Sequence, residues 1–92
     1  MENLEKTTTI FLDDPIKFNG GEYSQLELRE HTIGEWKKAE THRTATTHFI
    51  QLISSVSGWP VPAVEQLPQS KFDEAVLFLQ GFMKRGPATG EI

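Results

Sequence analysis

The stretch YSQLELREHTIGEW, residues 23–36, changes its hydrophobic period halfway along, and this change constrains the fold more than any other feature. Leu26 and Leu28 alternate with polar and charged neighbours, which is typical of a β-strand with one buried face. Thr32 is followed three residues later by Glu35, the pattern of a helix N-terminal capping box. The sequence therefore predicts a strand that leads almost directly into a helix.

An earlier strand precedes this one, and the two together predict a β-hairpin over residues 8–29. The turn between them is Asn19-Gly20-Gly21, whose residue types adopt positive φ at low cost. Asp13-Asp14-Pro15 interrupts the first strand, because proline cannot donate to the strand ladder. A lone two-stranded hairpin is marginal in water, so it must pack on helices or pair with a neighbouring chain. The candidates for its buried face are Ile16, Phe18, Leu26 and Leu28.

Two helices are predicted directly after the hairpin. The first runs over about residues 33–40 or slightly beyond, and residues 41–48 are either a loop or the start of the next helix. Gly58 ends the second helix, in the manner of a glycine C-cap. The apolar stripe of the second helix has the i, i+3, i+4, i+7 spacing and consists of Phe49, Leu52, Ile53 and Val56.

Prolines mark a short third helix and the approach to a fourth. Pro62 suits the first turn of the short helix, residues 63–67 complete it, and Pro68 stops it. Ser70 and Asp73 form a Ser-x-x-Asp pattern that predicts the N-terminal cap of the last helix. The apolar stripe of the last helix consists of Phe72, Ala75, Val76, Leu79, Phe82 and Met83.

The predicted fold class is α+β, an N-terminal β-hairpin followed by a small helical bundle of three to four helices. A length of 92 residues predicts a single domain, 1–92, with the hairpin at 8–30 and the helical part at 32–84. Flexible tails are predicted at 1–7 and 85–92. A chain this short has a thin core, which oligomerisation can complete.

Charge and hydropathy predict a soluble protein without a nucleic-acid or membrane partner, intracellular if it is bacterial or viral. The net charge is −4, and residues 1–30 hold seven acidic but only three basic residues. Phosphate backbones and anionic membranes are bound by clustered Lys and Arg. The longest apolar run, residues 75–79, is far shorter than the roughly 20 residues that span a bilayer. The N-terminus lacks the apolar segment of a signal peptide.

The sequence shows no catalytic or metal-binding constellation. His42 and His48 are six residues apart, which does not place them on one helical face, and neither they nor His31 has a cysteine to complete a metal site. Asp13 and Asp14 are adjacent in a strand and would point to opposite faces. No catalytic residue, metal or cofactor is therefore predicted.

Aromatic and aliphatic residues outside the stripes suggest a partner surface. Trp59 is predicted to lie in the core, whereas Trp36 is assigned neither to core nor to surface. Leu77 and Phe78 give the last helix apolar residues on more than one side. In so short a chain, the second side either packs within the chain or contacts another molecule. The candidate partner contacts are Leu77, Phe78, Phe82, Met83 and Trp36.

The order and spacing of these motifs resemble the protein E family of tail assembly chaperones from temperate contractile-tailed phages. The resemblance spans about residues 10–83, with a variable segment at 37–48. Its most specific parts are LELREHTIGEW at 26–36 and LPQSKFDEAVLFLQGF at 67–82. The usual leucine after the capping box is Trp36 here, which keeps an apolar anchor.

The resemblance implies a non-enzymatic chaperone that binds the tape measure protein and keeps it soluble until the tail tube polymerises. It also implies a location in the host cytoplasm, absence from the mature virion, and a longer form of the same protein made by ribosomal frameshifting. The small core adds the expectation of a homo-oligomer. Two alternatives stay open. A small DNA-binding phage regulator would need a basic recognition helix. An adaptor or antitoxin-like protein would block one partner with the same apolar helix.

Overall fold

The structure, a computed structural model, describes residues 6–41 and 44–82. An antiparallel hairpin is followed by four helices, which confirms the predicted α+β class. The strands are β1 (Thr7–Phe18) and β2 (Gly21–Arg29), and the helices are α1 (Ile33–Ala39), α2 (Ala45–Ser57), α3 (Val61–Val64) and α4 (Gln69–Gln80). The predicted tail at 85–92 lies outside the described residues, as does all but the end of the tail at 1–7. None of the described helices is both long and apolar enough to cross a bilayer.

The hairpin has the predicted turn and a bulge where the interruption was predicted. Asn19 and Gly20 adopt φ values of 50° and 83°, which only Gly and a few polar residues reach easily. Beyond the turn, residues 12–15 of β1 lie opposite Ser24 alone. The proline and the two aspartates are therefore accommodated as extra residues in β1, and the strand continues on both sides of them.

The helices cover one face of the hairpin. Ile16, Leu26 and Leu28 are buried as predicted, and Ile10 joins them, whereas Phe18 is only half-buried. α2 packs mainly on β2, and α3 and α4 pack on β1. The helical residues that complete the core are Ala39, Leu52, Ile53, Val56, Trp59, Ala63, Val64, Leu67, Ala75 and Leu79.

α2 begins four residues before its predicted apolar stripe. The reason is a second capping box within residues 41–48, the segment that the sequence left open between loop and helix. Thr44 accepts a hydrogen bond from the Thr47 amide (3.1 Å), and the Thr47 hydroxyl accepts one from the Thr44 amide (3.2 Å). At the other end, Ser54 Oγ donates to the Trp59 carbonyl oxygen at 2.7 Å. Trp59 is buried as predicted and packs on Tyr23 with ring centroids 5.0 Å apart.

The predicted cap of the last helix is wrong. α4 begins at Gln69 with Pro68 at the N-cap position, and Ser70 lies inside the first turn. Asp73 instead accepts a hydrogen bond from Gln69 Nε2 at 2.9 Å. The Pro68 carbonyl accepts the first helical bonds, from the amides of residues 71 and 72. Proline fixes φ near the value needed there, so the helix starts directly after it. The short helix α3 is also shorter than predicted, since it ends at Val64.

Gly58→Ala is expected to reduce the free energy of unfolding by about 1 kcal/mol. Gly58 ends α2 in the left-handed region at φ 80°, and an added Cβ would meet no atom within 4 Å. The cost is therefore the backbone strain alone. Gly34→Ala is the matched control, because Gly34 lies within α1 without positive φ and should be neutral or stabilising. Urea denaturation of both variants would measure this, and equal effects would contradict it.

Candidate partner-binding groove

The last residue of β2 is bound to the first turn of α1 by a bidentate ion pair. Arg29 Nη2 lies 2.6 Å from Glu35 Oε2, and Arg29 Nη1 lies 3.0 Å from Glu35 Oε1. Glu35 Oε1 also accepts a bond from the Thr32 amide (2.9 Å), and Thr32 Oγ1 accepts one from the Glu35 amide (3.1 Å). The predicted capping box is thus confirmed. A single carboxylate joins the strand, the cap and the helix, which fixes how α1 leaves the hairpin.

This arrangement favours the charged form of both partners. The hydrogen bond from Arg29 is the largest cause that lowers the pKa of Glu35 to about 2; partial burial opposes it and the Thr32 amide adds to it. The same hydrogen bond raises the pKa of Arg29 above its usual range. Since the folded state holds Glu35 ionised more strongly than the unfolded chain does, the pair stabilises the fold at neutral pH.

Glu35→Gln is expected to reduce the free energy of unfolding by about 1–2 kcal/mol at pH 7, because it removes the charge that pairs with Arg29. The contribution of Glu35 is complete above its unfolded pKa of about 4.5 and is lost as pH falls toward 2. The wild-type chain should therefore lose more stability than the variant between pH 5.5 and pH 3. Denaturation curves at both pH values measure this difference, and parallel losses would contradict it.

α1 and the end of α4 border an open groove, which we call the α1–α4 groove. It has a volume of about 370 Å³ and is lined by Glu30, His31, Ile33, Trp36 and Phe82. Ile33 is 81% exposed, the highest exposure among the large hydrophobic residues that the structure describes. An exposed aliphatic side chain beside two aromatic rings makes this groove suitable for apolar side chains of another molecule.

The ring of Trp36 is packed within a cluster of aromatic side chains. Its ring stacks on His31 (centroids 5.6 Å apart) and meets His48 (4.2 Å) and Phe49 (6.3 Å) edge-on. Its indole Nε1 donates to Glu40 Oε2 at 2.9 Å. The Trp36 ring is therefore fixed before any partner arrives, so little side-chain entropy is lost on binding.

The two histidines of this cluster add to its apolar character. His31 Nδ1 and His48 Nε2 are buried and find no hydrogen-bond partner within residues 6–41 and 44–82. Burial is the main cause that lowers the pKa of His31. In the described part of the chain, no three His, Asp or Glu side chains lie close enough to hold a metal ion, and His42 lies outside that part.

The structure brings some of the predicted contact residues together and separates others. Trp36 and Phe82 line the α1–α4 groove, and Phe78 meets Phe82 edge-on with centroids 5.1 Å apart. Phe78 is half-buried against the core, whereas Leu77 is 68% exposed and lies outside the groove lining. Met83 lies outside the described residues.

Ile33, whose exposure is the highest among the large hydrophobic residues described, is not among the contact residues predicted from the sequence. The sequence indicates its role only through its position. Ile33 directly follows the cap residue Thr32, so it is the first residue of the helix and lies outside the apolar stripe that packs on the core. A larger groove, of about 420 Å³, lies at the open end of the hairpin, but threonines 7 to 9 and the charged Glu27 and Arg29 line much of it.

Comparison with known families supports the resemblance noted in the sequence. Residues 9–84 match the family described as phage tail assembly chaperone proteins, E, or 41 or 14. This match covers most of the chain, so the chain belongs to this family of phage tail assembly chaperones. Searches of curated proteins and of solved structures found no match.

Proposed function

We propose that this chaperone binds the tape measure protein through the α1–α4 groove and keeps it soluble until the tail tube polymerises. The observation that carries the proposal is the exposed Ile33 beside the ring of Trp36, in an open groove whose lining also includes Phe82. The protein acts by binding and not by catalysis.

The chemistry of the groove favours an amphipathic helix as the bound segment. Such a helix presents apolar anchors at i, i+3, i+4 and i+7, which one groove and the apolar surface beside it can receive. Each fully buried Leu, Ile or Phe side chain contributes about 1.5–3 kcal/mol. Leu77 and Phe78 lie on the helix that ends at the groove, so they offer a second row of contacts. Glu30 at the groove suits a basic residue on the bound helix.

The proposal extends to where the protein acts. We place the chaperone in the host cytoplasm, where the tape measure protein is made, and outside the mature virion. A longer form made by frameshifting near the end of this chain would share the residues before the frameshift, among them Ile33 and Trp36.

The DNA-binding alternative finds less support in the helix that would have to carry it. Lys37 and Lys38 are exposed on α1, but Glu35 and Glu40 stand on either side of them along the helix. A recognition helix presents a basic face to the phosphate backbone. A salt-sensitive gel shift with phage DNA would favour this alternative over tape measure binding.

A capture experiment tests this proposal. The full chain is immobilised, and overlapping segments of the tape measure protein from the same phage are passed over it. Segments with helical apolar spacing should be retained, and the proposal would be abandoned if no segment were. Leu77→Asp should weaken the capture while the far-ultraviolet circular dichroism stays unchanged. Ser70→Asp is its matched control, because Ser70 is exposed in the first turn of the same helix.

A further inference from the structure

Within residues 6–41 and 44–82, both outer edges of the two-stranded sheet are open. Each strand pairs there only with the other, and no backbone group of residues 7–12 hydrogen-bonds to an element other than β2. An open edge presents unpaired amide and carbonyl groups that another strand can use. Natural sheets protect such edges with charged residues, prolines or bulges.

One segment of the sheet lacks this protection. β2 carries Glu22, Glu27 and Arg29 along its length, and the second half of β1 contains the bulge with Asp13-Asp14-Pro15. Residues 7–12 of β1 read TTTIFL, with no charge, no proline and four β-branched residues. Within this segment Phe11 is 64% exposed on the face away from the helices.

We propose that residues 8–12, within this segment, pair with the same residues of a second copy, antiparallel, to form a four-stranded sheet. The two-fold axis of such a pair is perpendicular to the sheet, so both helical layers lie on one face. A register centred on Ile10 places Phe11 of each copy opposite Thr9 of the other, which covers the exposed ring.

Charge complementarity favours a second copy as the occupant of this edge. In the same register Lys6 of one copy lies next to the bulge of the other, which carries Asp13 and Asp14, so opposite charges meet at both ends of the paired segment. No like charges meet within it.

Light scattering after size exclusion tests the pairing on the full chain. The expected result is a mass of about twice the 10.4 kDa of one chain. Phe11→Asp should return the mass to that of one chain, because it places a carboxylate in the new strand pair. Gln25→Asp is the matched control: Gln25 lies opposite Phe11 within the hairpin, is exposed, and belongs to the other strand. This control should keep the doubled mass.

A second variant guards against an effect of Phe11→Asp on the hairpin itself. Thr9→Lys places a charge in the same strand pair at another exposed position and should also halve the mass. A wild-type chain that stays monomeric over a wide concentration range would overturn the proposal. So would a dimer that survives both variants, or one that Ile33→Asp dissociates instead, since that dimer would form through the α1–α4 groove.

Discussion

Leu79→Ala is expected to reduce the free energy of unfolding by about 3 kcal/mol, a large share of the stability of a domain this small. Leu79 is fully buried in the core, on the helix that packs against β1. Its truncation removes apolar contact and leaves a cavity that the neighbouring side chains fill only in part. Chemical denaturation followed by circular dichroism measures the loss.

Leu77→Ala is the matched control, because it makes the same chemical change two residues away on the same helix. Leu77 is 68% exposed, so its truncation should change the free energy of unfolding by no more than about 0.5 kcal/mol. Similar losses for the two variants would show that α4 does not pack on the hairpin with the face described here. In that case Phe82, which follows α4, would not line the α1–α4 groove as described.

Ile33→Asp is expected to weaken binding of a tape measure segment at least about tenfold, since burying an isoleucine contributes about 1.5–3 kcal/mol and 1.4 kcal/mol is a factor of ten. The variant also places a charge where an apolar side chain should dock. Ile33 is the first residue of α1, where the helix dipole favours a carboxylate. The free energy of unfolding should therefore not fall. Titration calorimetry with a captured segment measures the affinity.

Ala45→Asp controls for the added negative charge. Ala45 is the first residue of α2 and is exposed, so the same carboxylate occupies the same helical position away from the α1–α4 groove. This variant should bind with wild-type affinity. If both variants weakened binding equally, net charge would govern the interaction. If neither did, the partner would bind elsewhere on the surface.

Features that depend on neighbouring residues could be predicted from the sequence. The capping box of Thr32 and Glu35 needs only a spacing of three, and the glycine that ends α2 needs only a backbone conformation. The same holds for the turn at Asn19 and Gly20. Local rules gave a wrong result where two of them applied to the same helix start. Ser70 was predicted to cap α4, but the helix begins at Gln69, directly after Pro68, whose backbone already has the conformation of an N-cap residue.

Features that depend on distant residues could not be predicted in this way. Arg29 was identified only as part of a motif, and its pairing with Glu35 depends on how the strand meets the helix. The α1–α4 groove brings Ile33 together with Phe82, which is slightly more than half the chain length away in sequence. Leu77 and Phe78 could be recognised in the sequence as apolar residues outside the stripe of the last helix, whereas the exposure of Ile33 is seen only in the fold of the described residues.

The most direct test of the proposed function is the soluble fraction of the tape measure protein when it is co-expressed with this chain. The wild-type chain and Ala45→Asp should raise that fraction, whereas Ile33→Asp should leave it near the level of the tape measure protein alone. A tape measure protein that stays insoluble beside the wild-type chain would contradict the proposed function. Equal solubility with wild type and Ile33→Asp would contradict the α1–α4 groove as the binding site.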